Sequence, residues 1–143
     1  MTDRTITYRK LNTYKYQIRK DVTITTGILP EQAIETPFIN LSAEGELMLK
    51  NGYAWDGPSG PAIDTPTFMR GSLVHDAFYQ LMRASELDYK QYRDQADQLL
   101  RTLCLQDGMM RFRAAYVYQA VKWFGQNNAM PSPNPAGPLF TAP

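Results

Sequence analysis

The chain has 143 residues, of which 43% are hydrophobic and 20% are charged, and this composition predicts a packed core and excludes general disorder. Fifteen lysines and arginines against fourteen aspartates and glutamates leave a formal net charge of +1, which argues against a nucleic-acid partner. The single cysteine, Cys104, excludes an intramolecular disulfide and is typical of a protein made in a reducing interior.

The first half of the chain predicts antiparallel β-strands. Two blocks, Phe38–Ser42 and Glu46–Lys50, flank a short polar segment that ends in Gly45, and this pattern predicts a hairpin with a positive φ at that glycine. Three earlier blocks alternate apolar and polar residues with the strand period of two. They are Thr5–Arg9, Tyr14–Arg19 and Asp21–Thr26.

Glycine and proline then cluster between Asn51 and Pro66, which predicts an irregular loop. Prolines lower the entropy cost of holding a loop in one shape, and loops held in this way often carry binding groups. We therefore expect the segment Trp55–Pro61 and the helical residues His75–Tyr79 to form one polar site.

The second half predicts three helices, so the fold class is α+β, with N-terminal antiparallel strands and hairpins followed by helices. A proline-rich tail follows them and is expected to be extended. One α+β domain is thus predicted for residues 1–127 and an extended tail for residues 128–143. The helices are predicted from Thr65 or Thr67 to about Arg83, from Ser85 or Asp88 to near Asp107-Gly108, and from about Met109 to Phe124, where Gly125 ends the helix.

His75 is the only histidine of the chain, which excludes metal chemistry that needs several histidines. It is either a general base or a core histidine whose hydrogen bonds are satisfied. At about 100° per residue, Val74, Ala77 and Phe78 form an apolar stripe, and His75 falls at its edge, above Tyr79. This border between core and solvent suits a general base.

Asp97 is a candidate partner for that histidine. It lies on the flank of the apolar stripe of the second helix, whereas Asp94 projects nearly opposite to the stripe. If the first two helices pack antiparallel, Asp97 can approach His75 and orient its ring. Alternatively, Asp97 forms a surface pair with Arg93 or Arg101, each four residues away.

Asp76 has two interpretations. Beside a glycine-containing loop rich in carbonyl groups, its carboxylate could hold a hard cation such as Ca²⁺. Such an ion would polarise an ester carbonyl while His75 deprotonates a water molecule. Alternatively, Asp76 caps backbone amides of the loop and needs no metal.

These motifs resemble those of phospholipases A2, most closely the viral type. The pattern His-Asp-x-x-Tyr stands at His75–Tyr79, and the Ala-Asp pair of the next helix stands at Ala96-Asp97. The segment Tyr53–Pro58 resembles the viral calcium loop, although Trp55-Asp56 stands where that loop has one small residue. Bacterial members carry an Asp-Gly-x-Ser segment, which is similar to Asp56–Ser59.

The resemblance implies roles for individual residues. His75 would be the catalytic base, Asp97 its orienting partner, and Tyr79 a support for Asp97. Asp76 would bind Ca²⁺, the implied cofactor. The ion site would be completed by Tyr53, Asp56 and Gly57.

Over the whole chain, the sequence resembles a family of small tailed-phage proteins that has no settled activity. The shared loop has the form Gly-aromatic-x-x-Asp-Gly-x-Ser-x-Pro, and the shared helix has the form Arg-x-x-x-x-His-Asp-x-x-Tyr. The resemblance implies a phage setting. It adds to the candidate site the residues Trp55, Pro58, Ser59 and Arg70.

Two functions are therefore predicted. The first is a phospholipase A2-like hydrolase that acts on phospholipid or another ester. The second is a non-enzymatic virion, tail or assembly protein, in which the histidine site is structural and residues 128–143 dock on other phage proteins. No apolar stretch is long enough to span a membrane, and the polar N-terminus predicts no signal peptide. We expect synthesis in the host cytoplasm, and the second function also implies association with the virion.

Overall fold

The computed structural model describes residues 2–11, 16–56, 65–125 and 129–130, and of Phe124 it describes the backbone alone. These residues form two compact units, one up to Asp56 and the other from Thr65 onwards. Antiparallel strands make up the first unit and helices the second, so the predicted α+β fold is confirmed. The prediction of one domain over residues 1–127 stays a prediction. Of the predicted tail, only Ala129 and Met130 lie within the described residues.

The first unit holds two antiparallel sheets. Its strands, among the described residues, are β1 (Tyr8–Lys10), β2 (Tyr16–Ile18), β3 (Val22–Thr25), β4 (Ile34–Glu35), β5 (Ile39–Leu41), β6 (Glu46–Leu49) and β7 (Ala54–Trp55). One sheet has the order β1-β2-β7 and the other the order β3-β6-β5-β4. Side chains on the inner face of the second sheet are completely buried, as period-two alternation requires. They include Ile24, Leu41, Leu47 and Leu49.

The predicted hairpin joins β5 and β6. Leu41 pairs with Leu47, and the turn between the strands places Gly45 at φ +89°. In this turn the amide of Gly45 donates to the carbonyl of Ser42 at 3.0 Å. A β-carbon at this glycine would lie 3.2 Å from the carbonyl oxygen of Ile28, so the turn requires glycine for space as well as for φ.

Part of the segment predicted to be an irregular loop is a strand instead. β7 pairs with β2, with Trp55 opposite Tyr16. The rings of Tyr8, Tyr16 and Trp55 pack together with centroids 5.4 to 5.9 Å apart. These cross-strand aromatic contacts stabilise a pairing that glycine and proline content alone argues against. The first strand also begins later than predicted, at Tyr8 rather than Thr5.

The second unit contains α1 (Pro66–Arg83), α2 (Tyr89–Gln106) and α3 (Arg111–Phe124). Thr65 precedes α1 without a capping hydrogen bond from its side chain. Asp88 caps α2 by accepting from the amide of Lys90 at 3.3 Å. Gly108, at φ +99°, ends that helix as predicted.

Helices α1 and α2 pack antiparallel. Arg70, near the start of α1, contacts Asp107 at the end of α2, and His75, further along α1, contacts the earlier residue Asp97. A β-carbon on Gly71 would lie 2.9 Å from Leu100 and 3.0 Å from Cys104, so this glycine allows the two helices to approach closely. All three helices contribute to the core around Cys104, which is fully buried; burial raises the pKa of its thiol to about 12. No helix of the described residues has the length and apolar character needed to cross a membrane.

Candidate functional site

Helix α1 is buried on nearly all sides, and this places His75 deeper than predicted. Thirteen of its eighteen residues are buried, because the helix is apolar around most of its circumference. Helical periodicity predicts His75 at the border with solvent, but only 9% of its side chain is exposed. A buried imidazole requires a hydrogen-bond partner.

Asp97 is that partner. Its Oδ1 lies 2.7 Å from Nε2 of His75, and its side chain is 1% exposed. Asp94, one turn earlier on α2, points away and accepts hydrogen bonds from Tyr118 and Gln98 instead. The predicted approach of Asp97 rather than Asp94 to His75 is observed, because the antiparallel packing of α1 and α2 turns the flank of the α2 stripe toward α1.

Tyr79 completes a three-residue network. Its hydroxyl donates to the same Oδ1 of Asp97 at 2.6 Å, and its ring packs 4.1 Å from that of His75, one helical turn earlier. Burial and then the charge of Asp97 raise the pKa of Tyr79 well above its ordinary value. Tyr79 therefore remains a hydrogen-bond donor, and Oδ1 receives two short hydrogen bonds.

The second carboxylate oxygen of Asp97, Oδ2, differs from Oδ1 in its hydrogen bonding. Oδ2 is buried and accepts no hydrogen bond from the described residues. The guanidinium of Arg93 lies 3.8 Å away, which is an ion-pair distance but not a hydrogen bond. Arg93 donates instead to the carbonyl of Lys122, in the last turn of α3, at 3.0 Å. An ion pair with Arg93 is thus present alongside the contact with His75, but it is not the predicted surface pair, because the Asp97 side chain is buried.

Gly125 is a residue of this site that sequence analysis identified only as a helix end. It caps α3, and a β-carbon there would lie 2.8 Å from the hydroxyl of Tyr79. The same β-carbon would lie 2.6 Å from the carbonyl oxygen of Val121, so glycine is required by the backbone of α3 as well as by Tyr79. The φ of −87° at Gly125 is accessible to any residue, so the requirement is for space. An aromatic-Gly pair at the end of a helix was the only sequence signal.

The network defines which ring nitrogen of His75 is available for chemistry. A carboxylate only accepts hydrogen bonds, so Nε2 donates to Asp97 and the neutral ring carries its lone pair on Nδ1. Among the described residues, Nδ1 has no hydrogen-bond partner. This arrangement can accept a proton from a water molecule at Nδ1 while Asp97 stabilises the resulting imidazolium.

The predicted calcium site combines a carboxylate with backbone carbonyls, and side-chain clusters bear on it only within the part of the chain that the structure describes. No group of three or more His, Cys, Asp or Glu side chains that could hold a metal ion occurs there. Asp76 lies on α1, Tyr53 and Asp56 belong to the first unit, and Gly57 lies outside the described residues. Calcium binding stays a prediction.

The remaining predicted site residues have other contacts or lie outside the described residues. Trp55 is buried against Tyr16, and Pro58 and Ser59 are not among the described residues. Arg70 is buried and forms an ion pair with Asp107 at the far end of α2. Of the predicted residues, the structure therefore brings together His75, Tyr79 and Asp97.

Comparisons with protein-family models, with curated proteins and with solved structures find no match to this chain. The resemblances to phospholipases A2 and to tailed-phage proteins therefore stay predictions. Any function assigned to the chain depends on the geometry of the site.

Proposed function

We propose that this protein is an ester hydrolase that acts on phospholipids, with His75 as general base. The observation that carries the proposal is the network at Asp97, whose Oδ1 accepts from both His75 and Tyr79. Such a network holds an imidazole in one tautomer and one orientation, which a general base requires and simple packing does not.

In the proposed reaction, Nδ1 of His75 removes a proton from water as the water oxygen attacks the ester carbonyl carbon. The resulting tetrahedral intermediate collapses with cleavage of the carbon–oxygen ester bond. The imidazolium returns its proton to the departing alkoxide, which yields a fatty acid and an alcohol. Asp97 stabilises the imidazolium throughout, and Tyr79 holds Asp97 in place.

The motif order supports phospholipid as the substrate class. His75, Tyr79 and Asp97 stand in the order of the phospholipase A2 pattern. The antiparallel helices bring His75 and Asp97, here called the dyad, within hydrogen-bonding distance. A phage setting and a dependence on Ca²⁺ belong to the same proposal and rest on the same motifs. Phospholipid or another lipid ester is then the partner that the site binds.

The test is hydrolysis of phospholipid in mixed micelles, measured as fatty-acid release with added Ca²⁺ and with excess chelator. We expect His75→Gln and Asp97→Asn each to lower the rate by about 10³-fold, within the range for loss of general-base catalysis. Asp94→Asn is the matched control, because it removes an acidic group from the same helix outside the dyad. A wild-type protein without activity on micellar phospholipid and on a soluble short-chain ester, at every calcium level, would overturn the proposal.

A second candidate is the non-enzymatic phage virion or assembly protein, in which the dyad is structural. The observation that favours it is the small exposure of His75, whose side chain is 9% accessible. This function predicts no hydrolysis by the wild type and a large loss of stability in His75→Gln. Hydrolysis that depends on His75, in a variant that remains folded, would exclude it.

A further inference from the structure

The outer face of α3 carries the most exposed large hydrophobic side chains of the described residues. Trp123 is 75% exposed and Phe112 72%, and Met110, which precedes the helix, is 66% exposed. A soluble domain tolerates single exposed apolar residues, whereas a cluster of them marks a contact surface. The exposure of this helix therefore requires an explanation.

Helical geometry aligns these side chains in one stripe. Phe112, Tyr116 and Trp123 are separated by four and seven residues, so they lie within about 40° of one another on the helix. The indole of Trp123 donates to Gln119 of the same stripe at 3.1 Å, which holds the ring along the helix. The opposite side of α3 packs into the core through Ala114, Val117 and Val121.

The charges of α3 have a single sign. Arg111, Arg113 and Lys122 are its only charged residues, and it contains no aspartate or glutamate. Arg111 and Lys122 lie about 80–100° to one side of the aromatic stripe, and Arg113 about 100° to the other side. An apolar stripe with cations on both flanks is the pattern of helices that lie in the surface of an anionic membrane.

We propose that the α3 face, defined as Met110, Phe112, Tyr116 and Trp123 with the flanking Arg111, Arg113 and Lys122, binds the surface of anionic phospholipid bilayers. Tryptophan and tyrosine suit the boundary between headgroups and acyl chains, because their rings are apolar and their polar atoms remain hydrated. The cations supply attraction to anionic headgroups. A nucleic-acid backbone fits less well, because the chain as a whole carries a formal net charge of only +1.

The α3 face ends beside the dyad. Gly125, two residues after Trp123, leaves the space next to the Tyr79 hydroxyl, and the carbonyl of Lys122 accepts from Arg93, which approaches Asp97. A bilayer bound to the face would therefore contact the same end of the helical unit that holds the dyad. This link to catalysis rests on the proposed function, whereas membrane binding rests only on the exposure and charge of α3.

The experiment measures binding to vesicles of ether-linked phosphatidylglycerol and phosphatidylcholine, which contain no carboxylic ester. We expect the protein to co-sediment with these vesicles and not with vesicles of phosphatidylcholine alone. Binding should shift the tryptophan fluorescence to shorter wavelength. Trp55 is buried, so the shift should come from Trp123 and be absent in Trp123→Phe.

Two double variants separate the apolar and electrostatic contributions. Phe112→Ser with Trp123→Ser should weaken binding at least about tenfold, since two large apolar side chains leave the bilayer. Arg111→Gln with Lys122→Gln should weaken it about 25-fold at low salt, or roughly fivefold for each cation.

Matched controls change equivalent residues elsewhere. Leu29→Ser removes an apolar side chain that is 56% exposed in the first unit, and Lys10→Gln with Lys50→Gln removes two exposed cations from that unit. Both controls should bind like the wild type. Circular dichroism and the thermal midpoint check that every variant is folded.

Three results would overturn the proposal. The first is absence of binding to anionic vesicles, and the second is equal weakening of binding by the control variants. The third is that the α3 variants abolish self-association or binding to single-stranded DNA but leave vesicle binding unchanged. Vesicle binding without ester hydrolysis would contradict only the proposed function. Hydrolysis of a soluble ester without vesicle binding would contradict only the membrane surface.

Discussion

Helices α1 and α2 are joined by two polar links that differ in how completely their atoms are paired. At one end, Arg70 donates to both carboxylate oxygens of Asp107 at 3.0 and 3.1 Å, and also to Gln106. Toward the other end, one carboxylate oxygen of Asp97 accepts hydrogen bonds from both His75 and Tyr79. Its second oxygen accepts no hydrogen bond from the described residues.

Under the proposed function, the difference distinguishes a structural link from a catalytic one. In a bidentate ion pair, both carboxylate oxygens accept hydrogen bonds from the guanidinium, so few polar atoms remain for other chemistry. The Asp97 network keeps one nitrogen of His75 and one oxygen of Asp97 without hydrogen bonds from the described residues, although both groups are buried. Incomplete pairing of a buried polar group costs stability, and proteins retain such groups where chemistry requires them.

The largest effect that this comparison predicts is on activity at Asp97. Asp97→Asn should lower phospholipid hydrolysis by about 10³-fold, or about 4 kcal/mol, because the amide no longer stabilises an imidazolium. The free energy of unfolding should change by less than about 1 kcal/mol, because the substitution preserves shape and removes a buried charge. Hydrolysis kinetics and urea denaturation of the same preparation measure the two effects. A variant that loses stability but retains its rate would make the Asp97 network structural.

The converse effect is predicted at Arg70. Arg70→Met should lower the free energy of unfolding by about 3 kcal/mol, because Asp107, whose side chain is 14% exposed, then loses its cation. The rate of the folded protein should stay within about twofold of wild type, since Arg70 lies five residues before His75 and donates to Gln106 and Asp107 at the far end of α2. Denaturation by urea, followed by kinetics below the transition, checks both statements. A large loss of rate in folded protein would return Arg70 to the catalytic site.

The dyad was accessible from sequence, because it depends on helical periodicity. The positions of Val74, Ala77 and Phe78 define the buried side of α1, and the same reasoning on α2 distinguishes Asp97 from Asp94. The depth of burial of His75 was not accessible, since it depends on neighbours that periodicity within one helix does not reveal.

The contacts that sequence could not predict are those that join distant segments. β7 consists of two residues and exists because Trp55 meets Tyr16, a pairing that has no local signal. The pairing of Arg70 with Asp107 spans 37 residues, and neither residue carries a mark of its partner. The sequence predicts Gly125 only as a helix end, because its role beside Tyr79 depends on how α3 packs.

A smaller effect is predicted at Gly125. Gly125→Ala places a methyl group 2.6 Å from the carbonyl oxygen of Val121 and 2.8 Å from the Tyr79 hydroxyl, so both the end of α3 and the tyrosine must adjust. We expect a loss of about 2 kcal/mol in the free energy of unfolding, the usual cost of overpacking. Adding Tyr79→Phe removes the hydroxyl that the methyl group meets, so the double variant should lose less stability than the two single losses combined. A double-mutant cycle of thermal unfolding measures this coupling, and strict additivity would contradict the contact.

The smallest effect is predicted at Asp94. A substitution there tests whether burial or the number of hydrogen bonds determines how much a carboxylate stabilises the fold. Like Asp107, it accepts two hydrogen bonds, and these bonds, from Tyr118 first, hold the pKa of its carboxyl below the ordinary value of 3.8. Unlike Asp107, it is exposed to solvent. A lowered carboxyl pKa stabilises the fold above the unfolded pKa, and this stabilisation is lost as the pH falls through the folded pKa.

Asp94→Asn should therefore cost less than about 0.5 kcal/mol at neutral pH, and the difference from wild type should shrink toward zero as the pH falls below 3.8. Urea denaturation at neutral and acidic pH measures the difference. A cost near that of Arg70→Met would mean that paired hydrogen bonds stabilise this fold regardless of burial. A negligible cost would mean that paired hydrogen bonds to a carboxylate stabilise this fold only where the carboxylate is mostly buried, as Asp107 is.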